Sequence, residues 1–207
     1  MSVEDKLKEI QSFSSELGLD LKKPEDRFKW FLASLLFAKR ISAEIAKRTF
    51  KLFVKEGLSS PKALLEAGWD KLVEILDAGG YVRYDFSTAS TILENAEKLL
   101  KEYGGDIDAL HDRALSSEDL EKKLMKFKGF GPTAVNIFLR ELRGIWSKAK
   151  PKLSEHALKV AEKLNLDIKQ AERYEPQLVK LYLECCKKSK CDVCPVKSFC
   201  SSPIRVA

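Results

Sequence analysis

Apolar residues in this 207-residue chain recur at three- and four-residue spacing almost from end to end, and that periodicity restricts the fold more than any other feature. Phe28, Phe31, Leu32, Leu35 and Leu36 form one stripe; Ile92, Ala96, Leu99 and Leu100 form another. Such a period buries one face of an α-helix. The two-residue alternation of β-branched residues that marks a half-buried strand does not extend to useful length. The chain is therefore expected to be all-α. Breaks are predicted at Gly18, Pro24, residues 57–61, Gly79-Gly80, Gly104-Gly105, residues 128–131 and Pro151, where glycine or proline punctuates the pattern. They divide the chain into about nine or ten helices. No fixed-period repeat or low-complexity tail stands out.

No run of about 18 apolar residues occurs, and the N-terminus is charged from its fourth residue, so neither a membrane span nor a secretory signal is expected. The protein should be soluble, monomeric and intracellular, in the cytoplasm or on the nucleoid. Lys and Arg outnumber Asp and Glu by 37 to 31, a formal charge of +6 that tilts weakly toward a polyanionic partner and decides nothing alone. With 33% charged residues, three Asn and three Gln, the composition leans thermophilic.

The segment from Leu120 to Arg140 reads as helix, tight turn, helix. Its first part is amphipathic and closes at Gly129, and Pro132 suits the first position of the second helix, where a missing N–H does no harm. The turn Gly129-Phe130-Gly131 places two glycines around an apolar residue expected to be buried, which lets backbone approach a ligand closely. Free N–H groups at the positive end of the second helix would then face outward, where phosphate is the natural occupant. A plain αα-hairpin whose glycines merely permit packing is the competing reading.

All five cysteines fall after position 184: Cys185, Cys186, Cys191, Cys194 and Cys200. A disulfide framework would spread its cross-links over the fold, so this clustering reads as a local metal site in a reducing compartment. Four thiolates with no nearby histidine suit a [4Fe-4S] cluster or a structural zinc.

Hairpin and cysteine run together resemble the helix-hairpin-helix DNA glycosylases of the endonuclease III type, over nearly the whole chain from the Phe28 to Arg40 helix to Cys200. That family carries a C-terminal iron-sulfur cluster spaced C-x6-C-x2-C-x5-C. Cys191, Cys194 and Cys200 match its last three ligands; five residues separate Cys185 from Cys191, and four separate Cys186, so the first ligand departs from the pattern. Cys185 is nearer the family length and Cys186 is the spare. The resemblance implies double-stranded DNA, damaged or mismatched, as partner, with Lys126 and Lys128 beside the phosphate path and the cluster stapling a lysine-rich loop.

The family's catalytic groups are where the sequence departs most. Aligning His156, Lys159 and Val160 puts Ser154 in the slot of the family's aspartate, with Glu155 adjacent, and there is no Asp between Asp119 and Asp167. Ser154 followed by Glu155 is also a plain helix start. The slot of the lysine that forms a Schiff base in bifunctional members is Thr133, so an efficient lyase is not expected. The side chain that fills the gap left by an extruded base would come from Lys39 or Arg40, with Tyr81 intruding from the 79–83 turn. A solvated basic helix end and a half-buried turn aromatic are the alternatives.

The expected architecture is two-lobed: a helical bundle over residues 24–134 ending in the hairpin, and a discontinuous domain of residues 1–23 and 135–207 carrying the cluster loop 185–200, with the DNA-binding cleft between them. The expected function is a monofunctional DNA N-glycosylase of base excision repair. The alternatives are a lesion-binding protein without turnover and a zinc-stapled helical protein without a nucleic-acid role.

Overall fold

The computed structural model describes residues 2–202. Among them are twelve α-helices and three 3-10 turns, with no strand. The all-α expectation holds. The helices beyond the expected number are α2 (Phe13–Glu16), α7 (Ile107–Asp112) and α11 (Ile168–Arg173), which are four to six residues long and too short for a stripe to repeat.

The chain divides into two compact units, Met1–Glu16 with Lys152–Ala207, and Leu17–Pro151. The boundaries expected at 23/24 and 134/135 thus shift to 16/17 and 151/152. Residues 135–151 belong with the bundle because they are tied to its central helix: Trp30 Nε1 donates to Phe138 O at 3.2 Å, and the Phe31 ring meets Phe138 edge-on at 5.7 Å.

In the larger unit, α3 (Pro24–Phe37) is enclosed on nearly every side, burying Phe28, Trp30, Phe31, Leu32, Leu35 and Leu36. A helix apolar all round must lie inside its neighbours, here α4 (Ala43–Lys55), α7 and α9 (Pro132–Arg140). Its first turn carries Arg27, whose guanidinium forms a two-pronged bond with Asp108, at 2.6 Å from Nε to Oδ1. Trp146 Nε1 also donates to Asp108 at 3.1 Å, so one carboxylate joins three segments distant in sequence. Alongside run α5 (Pro61–Gly79) and α6 (Asp85–Tyr103), the most extensively packed pair. Gly79 lies flat on Thr49, where any Cβ would fall 2.0 Å from Oγ1. At Gly68 (φ 75°, ψ 173°) α5 is interrupted, a break hidden in sequence because apolar residues keep their spacing across it.

The smaller unit joins the two ends of the chain. Leu7 of α1 (Val3–Glu9) belongs to the same apolar cluster as Ala157, Val160 and Ala161 of α10 (Glu155–Lys163) and Leu178 and Leu181 of α12 (Glu175–Glu184). Polar ties reinforce it. Gln170 Nε2 and Tyr174 OH donate to the two oxygens of Glu4 at 2.8 and 2.9 Å, while the buried Lys180 ammonium donates to Gln11 O at 3.0 Å and pairs with Glu16. A buried lysine stays charged only when so surrounded. Among the described residues no helix is long and apolar enough to cross a membrane.

Candidate nucleic-acid interface

The predicted hairpin is formed by α8 (Ser117–Met125) and α9, joined by residues 126–131. Its inner side is aromatic: Phe127 and Phe130 are buried, and the Phe130 ring stacks on Phe31 at 4.3 Å and 10°. Asn95, itself buried on α6, clamps the turn with both ends of its amide, Nδ2 donating to Lys128 O and Oδ1 accepting from Lys128 N, each at 2.8 Å. Two such bonds replace the partner strand or helix that an isolated turn lacks, and so fix its shape.

The two glycines have different reasons. Gly129 is left-handed (φ 77°), and a Cβ there would stand 2.8 Å from Leu35 Cδ1. Gly131 has an ordinary extended backbone (φ −77°, ψ −178°), and a Cβ there would meet nothing within 4 Å. Gly131 therefore has no dihedral that requires glycine. What glycine provides there is bare backbone on the outside of the turn, in front of the first N–H groups of α9, which receive no side-chain cap. The outer face is an open groove lined by Lys126, Lys128, Gly129, Gly131, Met125 and Glu94. Lys126 and Lys128 are exposed, and the Lys128 ammonium pairs with the Glu94 carboxylate of α6. Thr133 is exposed at the second position of α9.

At the other end of α3, Lys39 and Arg40 follow the helix, Lys39 half-buried and Arg40 exposed. Tyr81 is not an intruding aromatic. It is 1% exposed, its hydroxyl donates to Leu36 O, and burial pushes its ionisation well above the ordinary phenol range. The tyrosine is a core tether because its ring reaches inward from a turn whose next residues point out. Those residues are what the sequence reading missed. Val82 is 67% exposed, and Arg83 and Lys39 flank the Tyr84 ring at 5.7 and 6.0 Å from its centroid. One position of register separates Tyr81 from Val82, which periodicity alone does not resolve.

In the smaller unit, Ser154 is the N-cap of α10. Its hydroxyl accepts from Ala157 N at 3.3 Å, and its own N–H donates to Glu175 at 2.9 Å. Glu175 is fully buried at the start of α12, a carboxylate whose role as an anchor for this cap has no sequence signature beyond preceding Pro176. Glu155 is exposed on the first turn. His156 stacks on Tyr182 at 4.3 Å and 20°. Thr133 belongs to the larger unit and Ser154 and Glu155 to the smaller.

None of the five cysteines is joined in a disulfide. After α12 the chain runs through three 3-10 turns, Cys186–Lys188, Cys191–Val193 and Lys197–Phe199, whose inner residues pack on the small unit's core, with Val196 buried among them. Burial and then the neighbouring Cys194 thiol, which hydrogen-bonds to it, push Cys185 up to about 12; burial likewise raises Cys186, with Cys194, Cys200 and Cys191 adding to it. Burial and the neighbouring thiols thus both disfavour the ionised form at Cys185 and Cys186. Among the described residues no three His, Cys, Asp or Glu side chains converge closely enough to hold a single metal ion. A tetrahedral zinc draws its four thiolates onto one point, whereas an iron-sulfur cube takes one thiolate at each of four irons. In its chemistry the donor set, all thiol and confined to residues 185–200, suits either group, and Cys185 and Cys186 are both neighbours of Cys194.

Set against known proteins, the chain matches no family model and no curated protein sequence.

Proposed function

We propose that this protein binds double-stranded DNA through the 126–131 hairpin and acts on damaged or mismatched bases as a monofunctional N-glycosylase of the helix-hairpin-helix type. The observation that carries the DNA reading is Gly131. No neighbour would meet a Cβ there, and its absent side chain leaves uncapped helix N–H groups on a groove that Lys126 and Lys128 also line. Backbone N–H groups with flanking ammonium groups bind phosphate without reading sequence, which suits an enzyme that must inspect every base.

In the proposed reaction the target nucleotide leaves the stack, because its glycosidic bond is unreachable inside a duplex. Lys39 and the exposed Val82 and Arg83 would supply the side chains that occupy the vacated space. Glu155 supplies the carboxylate that stabilises positive charge building on the sugar while water replaces the departing base. Thr133 has no amine, so no Schiff base forms and the strand stays intact until alkali cleaves the abasic site. The four-thiolate cluster would be held by Cys185 or Cys186 with Cys191, Cys194 and Cys200, and would supply a structural staple for the loop bearing Lys187, Lys188, Lys190 and Lys197.

A second reading, lesion binding without turnover, is favoured by Ser154: its hydroxyl is already engaged as a helix cap, so it is poorly placed to direct a water. Single-turnover assays on duplexes bearing oxidised, deaminated, alkylated or mismatched bases, read with and without alkali, separate the two. Product only after alkali, abolished by Glu155→Gln while binding survives, establishes the glycosylase. Binding without product on any lesion establishes the second reading.

A further inference from the structure

Two large aromatic side chains on the larger unit are exposed where the fold has no need of them. Trp69 is 39% and Phe86 is 59% exposed, and their ring centroids lie 5.3 Å apart. The pair is held deliberately. Gly68, directly before Trp69, has φ 75° and ψ 173°, a region essentially closed to residues with a side chain, and no neighbour occupies the place of its missing Cβ. The glycine is therefore required by conformation: it breaks α5 and sends the chain out at Trp69. The indole N–H then donates to Ser90 Oγ on α6 at 3.0 Å, which fixes the ring beside Phe86.

Chemistry on either side of this pair selects a partner. Phe86 follows the turn with exposed Val82 and Arg83 and half-buried Tyr84, where Arg83 and Lys39 bring cations to a third ring. In the other direction, Phe86, Ser90 and Glu94 succeed one another at four-residue intervals along α6, so they share one stripe of the helix. Glu94 contacts Lys128 of the hairpin, about 12 Å along the axis from Phe86 at 1.5 Å per residue. That is between three and four steps of a stacked strand at roughly 3.4 Å each. Exposed acids also stand nearby: Glu66 three residues before Trp69, Asp70 directly after it, and Glu94 farther along α6. Exposed aromatic faces that lie between a turn whose cations flank Tyr84 and the proposed phosphate-binding hairpin suit unpaired nucleic acid, because every base offers a π-face whatever its identity.

We propose that Trp69 and Phe86 form a stacking platform for unpaired bases of a DNA strand whose phosphates run to the hairpin. The proposal rests on the DNA reading above and adds to it a preference for strands with locally open bases.

Trp30 and Trp146 are buried, so collisionally quenchable tryptophan emission comes from Trp69. The full-length protein is titrated with oligothymidylate, with a strand of the same length made entirely of abasic sugar-phosphate, and with a fully paired duplex. Fluorescence, acrylamide quenching and affinity are read for the wild type, Trp69→Phe and Phe86→Ala. Base-containing single strand should quench Trp69 and shield it from acrylamide, and the abasic strand should do neither. Phe86→Ala should lower the single-strand to duplex affinity ratio roughly five- to a hundredfold, the range for losing one stacked base. Unchanged Trp69 emission with oligothymidylate, or an unchanged ratio, overturns the platform while leaving duplex binding in place. Quenching by single strand in a protein that binds no duplex supports the platform and overturns the duplex reading. Shielding of Trp69 that rises with protein concentration before DNA is added identifies a second copy as the occupant and overturns the proposal.

Discussion

At residue scale the two hairpin glycines separate folding from function. Gly129→Ala forces a side chain into a left-handed backbone and against Leu35, and should destabilise the protein by about 1–2 kcal/mol. Gly131→Ala meets no protein atom and should leave the stability within about 0.5 kcal/mol of wild type while weakening DNA binding, since the new methyl intrudes where phosphate would approach. Thermal melts and duplex titrations of both variants check the pair; a Gly131→Ala protein that binds DNA as wild type does would remove the main support for the interface. Glu94 acts in the opposite sense. Its carboxylate holds Lys128 across the groove, so a phosphate must displace it. Both side chains are about half exposed, which keeps the pair weak. Glu94→Gln should therefore bind duplex only about two- to fivefold more tightly, with a salt slope steeper by about 0.9 as Lys128 becomes a full phosphate contact. Gel-shift titrations across a salt series read both quantities.

At the scale of the helix, the carboxyl groups held below their usual range concentrate in first turns, where the peptide dipoles and free N–H groups favour negative charge. Asp5 is lowered by the backbone N–H of Ser2 and then by its hydroxyl; Asp119 by the backbone N–H of Leu115 and then by Lys123. Glu118 is lowered by its own backbone N–H and then by Ser116. For Asp26, burial works upward, and the Lys29 ammonium with the Asp20 N–H outweighs it. A carboxyl lowered on folding stabilises the native state above its unfolded pKa, and loses that contribution as pH falls through its folded value. Stability should accordingly be flat near neutrality and decline below the ordinary carboxylate range. Urea midpoints measured as a function of pH should show the acid decline becoming shallower in Asp119→Asn and Asp26→Asn; an unaltered acid limb in both would show that helix starts do not set it. The exposed groups contribute individually little, so the combined effect of several caps is what the titration reads.

At the scale of the molecule, the proposed cluster is tested on the cysteine segment, whose five thiols all lie within residues 185–200. Its short 3-10 turns contribute little apolar area, and the core they cover includes Cys185 and Val196. Protein isolated without oxygen should absorb in the visible, as iron-sulfur proteins do and zinc proteins do not, and Cys194→Ser should lose the colour. Proteolysis after Lys187, Lys188 and Lys190 should quicken in the same variant, because the loop loses its staple. A colourless wild type containing one zinc per chain would replace the cluster with the structural-zinc alternative.

Local rules fixed much of this protein before any tertiary information was needed. Helix periodicity, serine and aspartate caps, the Gly129 turn and the confinement of cysteines are all properties of short segments, and each is governed by sterics or hydrogen bonds within a few residues. What required the folded chain was everything set by contacts distant in sequence. Tyr81 and Val82 are equally plausible turn residues until Leu36 O captures the tyrosine hydroxyl. Residues 135–151 join the bundle because Trp30 and Phe31 reach Phe138 more than a hundred positions away. Gly68 is one more glycine among ten until its dihedrals show that it turns Trp69 outward. Side-chain direction at a turn and the partner across a core depend on packing among remote segments, and no local pattern encodes them.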